Sequence, residues 1–321
     1  MTLLSIRDLF ATPGPADGQM HDLCNLNLDV GAGAQLALIG DRHAGPSLLA
    51  ALLASETAHR ATIASGTIWC EAPGHGRLML SQLRARLRDF VLVVPADPTV
   101  HFRPRRLVRD QILQGMRRLG WRDRPTALAR IQAVLADVGL DDPGLVLEQR
   151  PDELGRDAVM AAALASVFAC GPRVVIFGTP EITDTVLLAE YAARVRLLAR
   201  ARDIALLTIT SQPAVAAEMS DQAAVFYAGR IVEMGATGTL LGTPRHPYTH
   251  ALIGMQPQMA RPSAPFALLE GAAPAPGAVP QGCALHPRCP NAFAGCYIET
   301  PALGDQAGQR VACHRPLGEG G

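Results

Sequence analysis

The chain has 321 residues, of which 49% are hydrophobic and 4% aromatic, and its 29 Lys and Arg residues balance 29 Asp and Glu residues. This length predicts two domains, or one large domain with an appendage, with enough apolar side chains for a buried core. The charge balance disfavours a polyanionic partner, so we expect no binding to nucleic acid.

The N-terminal part of the chain is predicted to form strands. Residues 3–10 and 23–30 alternate apolar and polar side chains, as half-buried strands do. Residues 8–21 are rich in Pro and Gly and are predicted to form a turn region. Residues 65–70 and 90–94 are predicted as two further strands, the second of them buried. We expect an antiparallel β-layer that leads into a parallel core.

Residues 35–53 predict a strand, a tight loop and a helix. An apolar run ends at Gly40, and Ser47 begins a run of Leu and Ala. The frame G-x4-G-x-S is that of the P-loop, in which backbone N–H groups cradle phosphates at a helix N-terminus. The loop consists of Gly40, Asp41, Arg42, His43, Ala44, Gly45, Pro46 and Ser47.

Pro46 occupies the position at which a P-loop has Lys. That Lys reaches the β- and γ-phosphates as a point charge. Proline has neither the charge nor a backbone N–H, although it suits the first turn of a helix. The sequence therefore predicts the shape of a phosphate loop without its chemistry. A Gly-rich turn of the kind found in any α/β fold is the alternative interpretation.

The middle of the chain has a helical period. Helices are predicted over residues 107–119, 126–138 and 155–170, with Gly139 placed as a C-cap, and they indicate a helical subdomain inserted in the core. Further elements are predicted over residues 173–177 (strand), 187–200 (helix), 204–209 (strand) and 223–227 (strand). Alternating buried strands and helices indicate a mainly parallel sheet covered on both faces. The predicted fold is α/β and P-loop NTPase-like, with an antiparallel β-layer, the helical subdomain and a Cys-rich C-terminal extension.

Two observations bear on membranes. The first residues lack the basic and apolar regions of a signal peptide, so we expect none. The longest apolar run, residues 158–170, is far shorter than the ~20 residues that span a bilayer. Any association with a membrane is therefore expected to require a partner.

Four of the seven cysteines crowd into the C-terminal part, with the spacing C-x5-C-x6-C-x16-C, at Cys283, Cys289, Cys296 and Cys313. Without an export signal, such a cluster favours a metal over disulfides. Four thiolates suit tetrahedral zinc or a [4Fe–4S] cluster. The missing C-x2-C pair weakens zinc, and free or partly paired thiols remain an alternative.

Residues 223–250 and 282–314 resemble the nucleotide-binding subunits of ATP-binding cassette (ABC) importers for oligopeptides, dipeptides and nickel. The most specific segment is Pro-x-His-Pro-Tyr-Thr at residues 244–249. The resemblance implies a nucleotide-binding domain over residues 1–256, with a helical subdomain at about 99–172, and an extension over residues 257–321. Some members of the group carry a [4Fe–4S] cluster on cysteines placed in this way, which favours iron–sulfur.

The resemblance also implies partners and a location. Two such subunits meet head to tail, each ATP lies between the P-loop of one and the signature loop of the other, and closure drives the membrane permease. We expect a heterodimer with a second nucleotide-binding subunit, two integral-membrane permease subunits and, indirectly, a peptide-binding protein. The location would be peripheral, on the cytoplasmic side of the cell membrane.

Most residues that the family uses for hydrolysis are replaced. The positions of the Mg²⁺-ordering Asp and the catalytic Glu are Gly178 and Thr179, the switch His is Ser211, and the loop Gln is Ala96. The signature Leu-Ser-Gly-Gly corresponds to Leu154, Gly155, Arg156 and Asp157. Ser47, a Mg²⁺ ligand in the family, is retained.

These replacements predict that the chain does not hydrolyse ATP at its own P-loop. Charge-assisted hydrogen bonds contribute roughly 1.5–3 kcal/mol each, and about 1.4 kcal/mol is a factor of ten in rate. The first hypothesis is a catalytically degenerate subunit of a peptide importer, with ATP and Mg²⁺ binding in question. The others are a regulatory or scaffold protein with a metal-bearing tail, and a working ATPase that uses unusual residues.

Two smaller features complete the expectations. Arg103, Arg105, Arg106 and Arg109 form a basic stretch, interpreted either as a contact with a permease loop or as a solvated helix face. His246 is interpreted as a turn residue that bonds the backbone, in preference to a metal ligand.

Overall fold

The computed structural model describes residues 1–13, 23–40, 45–53, 61–72, 76–79, 90–95, 98, 101–178, 185–255, 269–306 and 308–318. Its strands are β1 (Thr2–Pro13), β2 (Leu23–Gly31), β3 (Gln35–Ile39), β4 (Ala61–Ala72), β5 (Gly76–Met79), β6 (Val91–Val93), β7 (Val174–Gly178), β8 (Ala205–Thr210), β9 (Gln222–Tyr227), β10 (Arg230–Ala236), β11 (Gly304–Gln306) and β12 (Gln309–Val311). Its helices are α1 (Pro46–Leu53), α2 (Val108–Arg118), α3 (Arg124–Asp137), α4 (Pro143–Leu147), α5 (Arg156–Phe168), α6 (Thr185–Ala201), α7 (Pro213–Met219), α8 (Thr237–Gly242), α9 (Pro247–Gly254) and α10 (Ala294–Ile298).

The chain divides into two compact units. One comprises Met1–Gln82 with Leu207–Gly321, and the other comprises Leu83–Leu206. Among the described residues, no helix combines the length and apolar character needed to cross a bilayer. The mixed α/β architecture that the sequence predicts is confirmed.

The first unit contains the predicted antiparallel layer, a four-stranded sheet in the order β2-β1-β4-β5. The expected turn region over residues 8–21 is wrong for its first residues, because β1 continues to Pro13. Asp8 has φ +47°, and the register shifts there, so a bulge absorbs the turn-prone residue. A Cβ on Gly66 of β4 would lie 2.3 Å from the carbonyl oxygen of Asp8, which leaves room only for glycine.

A second sheet in this unit has the strand order β11-β12-β10-β9-β3-β8. Strand β3 is parallel to β9, whereas β9, β10, β12 and β11 pair antiparallel in that order. Ala228 and Gly229 both have positive φ and form the two-residue turn of the β9–β10 hairpin, as a type I′ turn requires. The segment directly after this turn is strand β10.

The C-terminal extension is part of this second sheet. Glu233 of β10 pairs with Val311 of β12, and the N–H of Ala312 donates to the carbonyl oxygen of Val232 at 2.8 Å. Leu285 joins the core formed by β3, β9 and the helices that cover them. Sheet pairing and core packing therefore hold the extension.

The other unit contains the predicted helical segments. Helices α2, α3 and α5 correspond to the three predictions, and nine of the thirteen residues of α5 are buried. Asp123 caps α3 by accepting from the N–H of Thr126, and Gly139 has φ +86° just past the helix end, as predicted for a C-cap. Strands β6 and β7 pair in parallel, with Val91 opposite Val174.

Candidate functional site

The structure describes both ends of the predicted phosphate loop. Gly40 follows β3 and donates its N–H to the carbonyl oxygen of Thr210 at 3.1 Å, while Pro46 is the first residue of α1. Gly45 is buried, with φ +123°, and a Cβ there would lie 3.1 Å from Leu23 Cδ2. Phe226 Cδ1 would lie only 3.2 Å away. Only glycine suits this position. Residues 41–44 lie outside the described residues.

The helix after the loop offers no cationic side chain. All eight residues of α1 are uncharged, and Pro46 is buried and has no backbone N–H. Ser47, whose hydroxyl would be the retained Mg²⁺ ligand, is half-buried. The described part of the loop therefore keeps a helix N-terminus and one hydroxyl, but it has no side chain that neutralises a phosphate.

Strand β7 is the one after which the family has its Mg²⁺-ordering Asp and catalytic Glu, and here it ends at Gly178. A Cβ on Gly178 would have no atom of the described residues within 4 Å, so none of these residues excludes the missing carboxylate. Ser211, at the switch position, is exposed directly after β8. Thr179 and Ala96 lie outside the described residues.

The four signature positions lie at the N-terminus of α5. Gly155 is the N-cap residue, with no side-chain hydrogen bond and no atom within 4 Å of an added Cβ. Asp157 lies in the first turn, its side chain 70% exposed and 3.5 Å from Arg194 Nη2. A carboxylate in the first turn stabilises the helix dipole. It also places negative charge where a signature loop would receive a phosphate.

The structure brings the four C-terminal cysteines together around one narrow cavity, whose described lining residues include Cys283, Cys289, Cys296 and Cys313. The N–H of Cys283 donates to the carbonyl oxygen of Cys296 at 2.8 Å. None of the chain's seven cysteines, all within the described residues, forms a disulfide. Burial raises the pKa of Cys283 and Cys289, and that of Cys313 to about 11. The thiols of Cys283, Cys289 and Cys313 are therefore protonated near neutral pH unless a metal displaces the protons.

A single metal ion is not accommodated as the side chains stand. Among the described residues, no group of three or more His, Cys, Asp and Glu side chains could hold one ion. His286 and His314 also face backbone carbonyl oxygens, His286 Nδ1 at 3.0 Å from Cys283 and His314 Nε2 at 2.9 Å from Glu299. Both histidine rings are therefore engaged with the backbone and do not join the four thiols as candidate metal ligands.

One functional feature was not predicted, the anchoring of the Pro-x-His-Pro-Tyr-Thr segment by Glu233. This carboxylate is fully buried and accepts from the N–H groups of Arg245 at 2.8 Å and His246 at 3.1 Å. Burial raises its pKa. The signal in the sequence was a single acidic residue after the apolar pair Ile231 and Val232 in a strand.

His246 has the turn role that was expected. Its Nδ1 accepts from the N–H of Tyr248 at 3.1 Å and caps α9. Burial lowers its pKa to about 3, so the ring is neutral. A fully buried imidazole engaged with backbone is not available as a metal ligand.

Comparison with known proteins places these features in context. Residues 232–296 match the family model described as "Oligopeptide/dipeptide transporter, C-terminal region". The dipeptide transport ATP-binding protein DppD of Escherichia coli is 27% identical, and the alignment covers 100% of this chain and 99% of the relative. For the oligopeptide transport ATP-binding protein OppD of Salmonella typhimurium, the identity is 25% over 99% of this chain and 95% of the relative.

Solved structures share the fold. The ATP-binding subunit of an ABC transporter superposes with a TM-score of 0.57 at 18% identity, covering 74% of this chain and 91% of the other. The protein cbiO1 of Clostridium perfringens, part of the ABC transporter complex cbiONQ, gives a TM-score of 0.60 at 17% identity over 75% and 91%. The chain thus has the fold of ABC ATPase subunits, and its homologues are dipeptide and oligopeptide ABC transport ATP-binding proteins.

Proposed function

We propose that this chain, a homologue of dipeptide and oligopeptide ABC transport ATP-binding proteins, is the nucleotide-binding-type subunit of a bacterial peptide importer and has lost ATP hydrolysis at its own P-loop. The full-length similarity to DppD is the observation that carries the proposal. It covers the nucleotide-binding fold and the segment that Glu233 anchors. The subunit would lie on the cytoplasmic face of the membrane and transmit closure to two permease subunits.

The loss of hydrolysis is argued from the residues that remain. Pro46, Gly178, Thr179 and Ser211 stand where the family has Lys, Asp, Glu and His, and Ala96 stands at the loop Gln. Phosphoryl transfer depends almost entirely on positioning and charge neutralisation. Without the four charged or proton-transferring groups, roughly 6–12 kcal/mol of stabilisation would be missing if the contributions were additive, which they seldom are. Even the lower value would abolish useful turnover.

Nucleotide can still bind without being cleaved. The described loop retains a helix N-terminus at Pro46 and the hydroxyl of Ser47, which are the elements for weak binding of ATP with Mg²⁺. The partner is proposed to be a second, different nucleotide-binding subunit. The ATP bound to the P-loop of that partner would face Gly155, Arg156 and Asp157 of this chain. The Asp157 carboxylate would therefore weaken ATP binding at the partner's P-loop as well.

A [4Fe–4S] cluster is proposed for the extension. Cys283, Cys289, Cys296 and Cys313 would supply four thiolates, a ligand set that suits such a cluster. A zinc ion fits less well, because four sulfurs bound at ~2.3 Å would all lie within about 4 Å of each other, and no described group could hold one ion. The cluster would be structural, joining residues that already surround one cavity.

The test is co-expression of the chain with a second nucleotide-binding subunit and a peptide permease from the same genome, followed by purification of the complex. We expect a stable complex with visible absorbance from iron–sulfur, and an ATPase rate that is unchanged when Ser47 is replaced by Ala. Micromolar ATP binding with turnover by the isolated chain would contradict the loss of hydrolysis. If no permease co-purifies, the alternative of a regulatory or scaffold pseudo-ATPase with a metal-bearing tail replaces the transport role.

A further inference from the structure

The zero net charge of the chain conceals one strongly basic segment. Residues 101–130 contain nine arginines and two aspartates, a net charge of +7, in a chain whose 29 basic residues are all arginine. Both aspartates are already engaged. Asp110 Oδ1 lies 3.4 Å from Arg109 Nε, and Asp123 accepts from the N–H of Thr126. The excess positive charge is therefore not neutralised within the segment.

The loop before α2 is fixed so that it presents this charge. The Gln111 side chain accepts from the N–H of Arg103 at 2.8 Å and donates to the carbonyl oxygens of Arg103 and Arg106. Arg106 in turn donates to Gln114 Oε1 at 3.2 Å. Residues 111, 114 and 118 share one face of α2, so the loop lies along the same face as Arg118.

Eight arginines of residues 101–130 are exposed and form no ion pair with a carboxylate of the described residues, and two of these, Arg124 and Arg130, belong to α3. The other six lie on α2 or in the loops on either side of it, namely Arg103, Arg105, Arg106, Arg117, Arg118 and Arg122. The helix that carries the surface is about 16 Å long. Arg109 is excluded from the set, because it pairs with Glu148 and Asp110. We call the six residues the arginine surface.

We propose that the arginine surface binds anionic phospholipid headgroups at the membrane face. No large hydrophobic side chain is exposed in residues 101–130, so the surface presents arginine without the aromatic and apolar anchors that accompany it at protein interfaces. Headgroups move laterally and adapt to any spacing of guanidinium groups. Each basic residue near an anionic membrane adds favourable electrostatic energy that falls off within a Debye length. This inference does not depend on the proposed transport function.

The test is co-sedimentation of the full chain with vesicles of phosphatidylcholine, with or without phosphatidylglycerol. We expect binding only to the anionic vesicles and its loss as the salt concentration rises. In the variant Arg103→Gln/Arg105→Gln/Arg118→Gln the vesicle affinity should fall at least about tenfold. Among the described residues, none of these three guanidiniums forms an ion pair, and unchanged circular dichroism would establish that the variant is folded.

The matched control removes the same charge from exposed positions elsewhere, in Arg150→Gln/Arg200→Gln/Arg310→Gln. Its vesicle affinity should stay within about twofold of the wild type, since these residues lie outside the arginine surface. Equal weakening by both triple variants would overturn the proposal, because it would indicate a response to net charge alone. Binding only to membranes that contain the permease would also overturn it, in favour of an acidic protein segment.

Discussion

The buried carboxylate of Glu233 accepts a hydrogen bond of 3.1 Å from the backbone N–H of His246. The same carboxylate accepts from the N–H of Arg245 at 2.8 Å. Strand β10 is thereby joined to the start of α9, in the Pro-x-His-Pro-Tyr-Thr segment. The anchor is independent of nucleotide and metal, so it can be tested by stability measurements on the chain alone.

Replacing Glu233 by Gln should lower the free energy of unfolding by about 2–3 kcal/mol, because one buried N–H would face an amide NH₂ and lose its charged acceptor. Urea denaturation would measure the change. Glu299→Gln, at an exposed position, is the control and should change stability by less than about 0.5 kcal/mol. Equal stability of the two variants would contradict the anchoring role.

His246 should make the protein sensitive to acid. Its pKa is lowered from 6.5 to about 3 in the folded chain. The unfolded chain therefore binds more protons in this window, so stability falls as the pH drops below 6.5, by at most about 1.4 kcal/mol per pH unit. His246→Asn keeps an N-cap acceptor and removes the titration. Its stability should fall less steeply over the same range, and identical pH profiles would disprove this origin.

Gly45 and Gly178 provide a matched pair of alanine substitutions. At Gly45, φ is +123° and a Cβ would lie 3.1–3.3 Å from three atoms, so Gly45→Ala should cost about 1–3 kcal/mol. At Gly178 the added methyl meets no atom of the described residues within 4 Å, so Gly178→Ala should stay within about 0.5 kcal/mol of the wild type. Thermal unfolding of both variants distinguishes them. A costly Gly178→Ala would mean that the acidic residue is excluded sterically.

The charge of Asp157 should oppose nucleotide on the partner subunit. With Asp157→Asn, we expect ATP affinity of the complex to rise, while the chain alone loses a few tenths of a kcal/mol because the first turn of α5 loses a favourable charge. Fluorescent ATP titration measures the affinity. Asp152→Asn, at another exposed carboxylate of the same unit, is the control. An unchanged affinity would exclude Asp157 from the nucleotide site.

Cys296→Ser should abolish the visible absorbance of the purified protein and reduce its iron content. The serine hydroxyl is a poor replacement for a thiolate ligand of iron. Cys170→Ser removes a buried thiol outside the cavity and should leave both signals intact. Iron analysis and absorbance on anaerobically prepared protein are the measurements. Retained iron in Cys296→Ser would contradict the four-thiolate cluster.

The sequence was informative where a local pattern determines structure. Alternation predicted the strands around Leu4 and Leu26, and the Gly139 signal marked the end of α3 correctly. It failed at residues 8–13, because the bulge at Asp8 depends on Gly66, more than fifty residues away. Glu233 was not predicted because its hydrogen-bond partners, Arg245 and His246, are distant in sequence and are brought to it only by the fold.

The hairpin of β11 and β12 also determines what the second sheet presents to its surroundings. Without it, the backbone N–H and C=O groups of β10 along the Glu233 side would be an open template for another chain. The hairpin ends instead in β11, whose three residues Gly304, Asp305 and Gln306 make a short, polar border. Removal of strands β11 and β12 would therefore favour self-association through strand addition, whether or not the four thiols bind a metal.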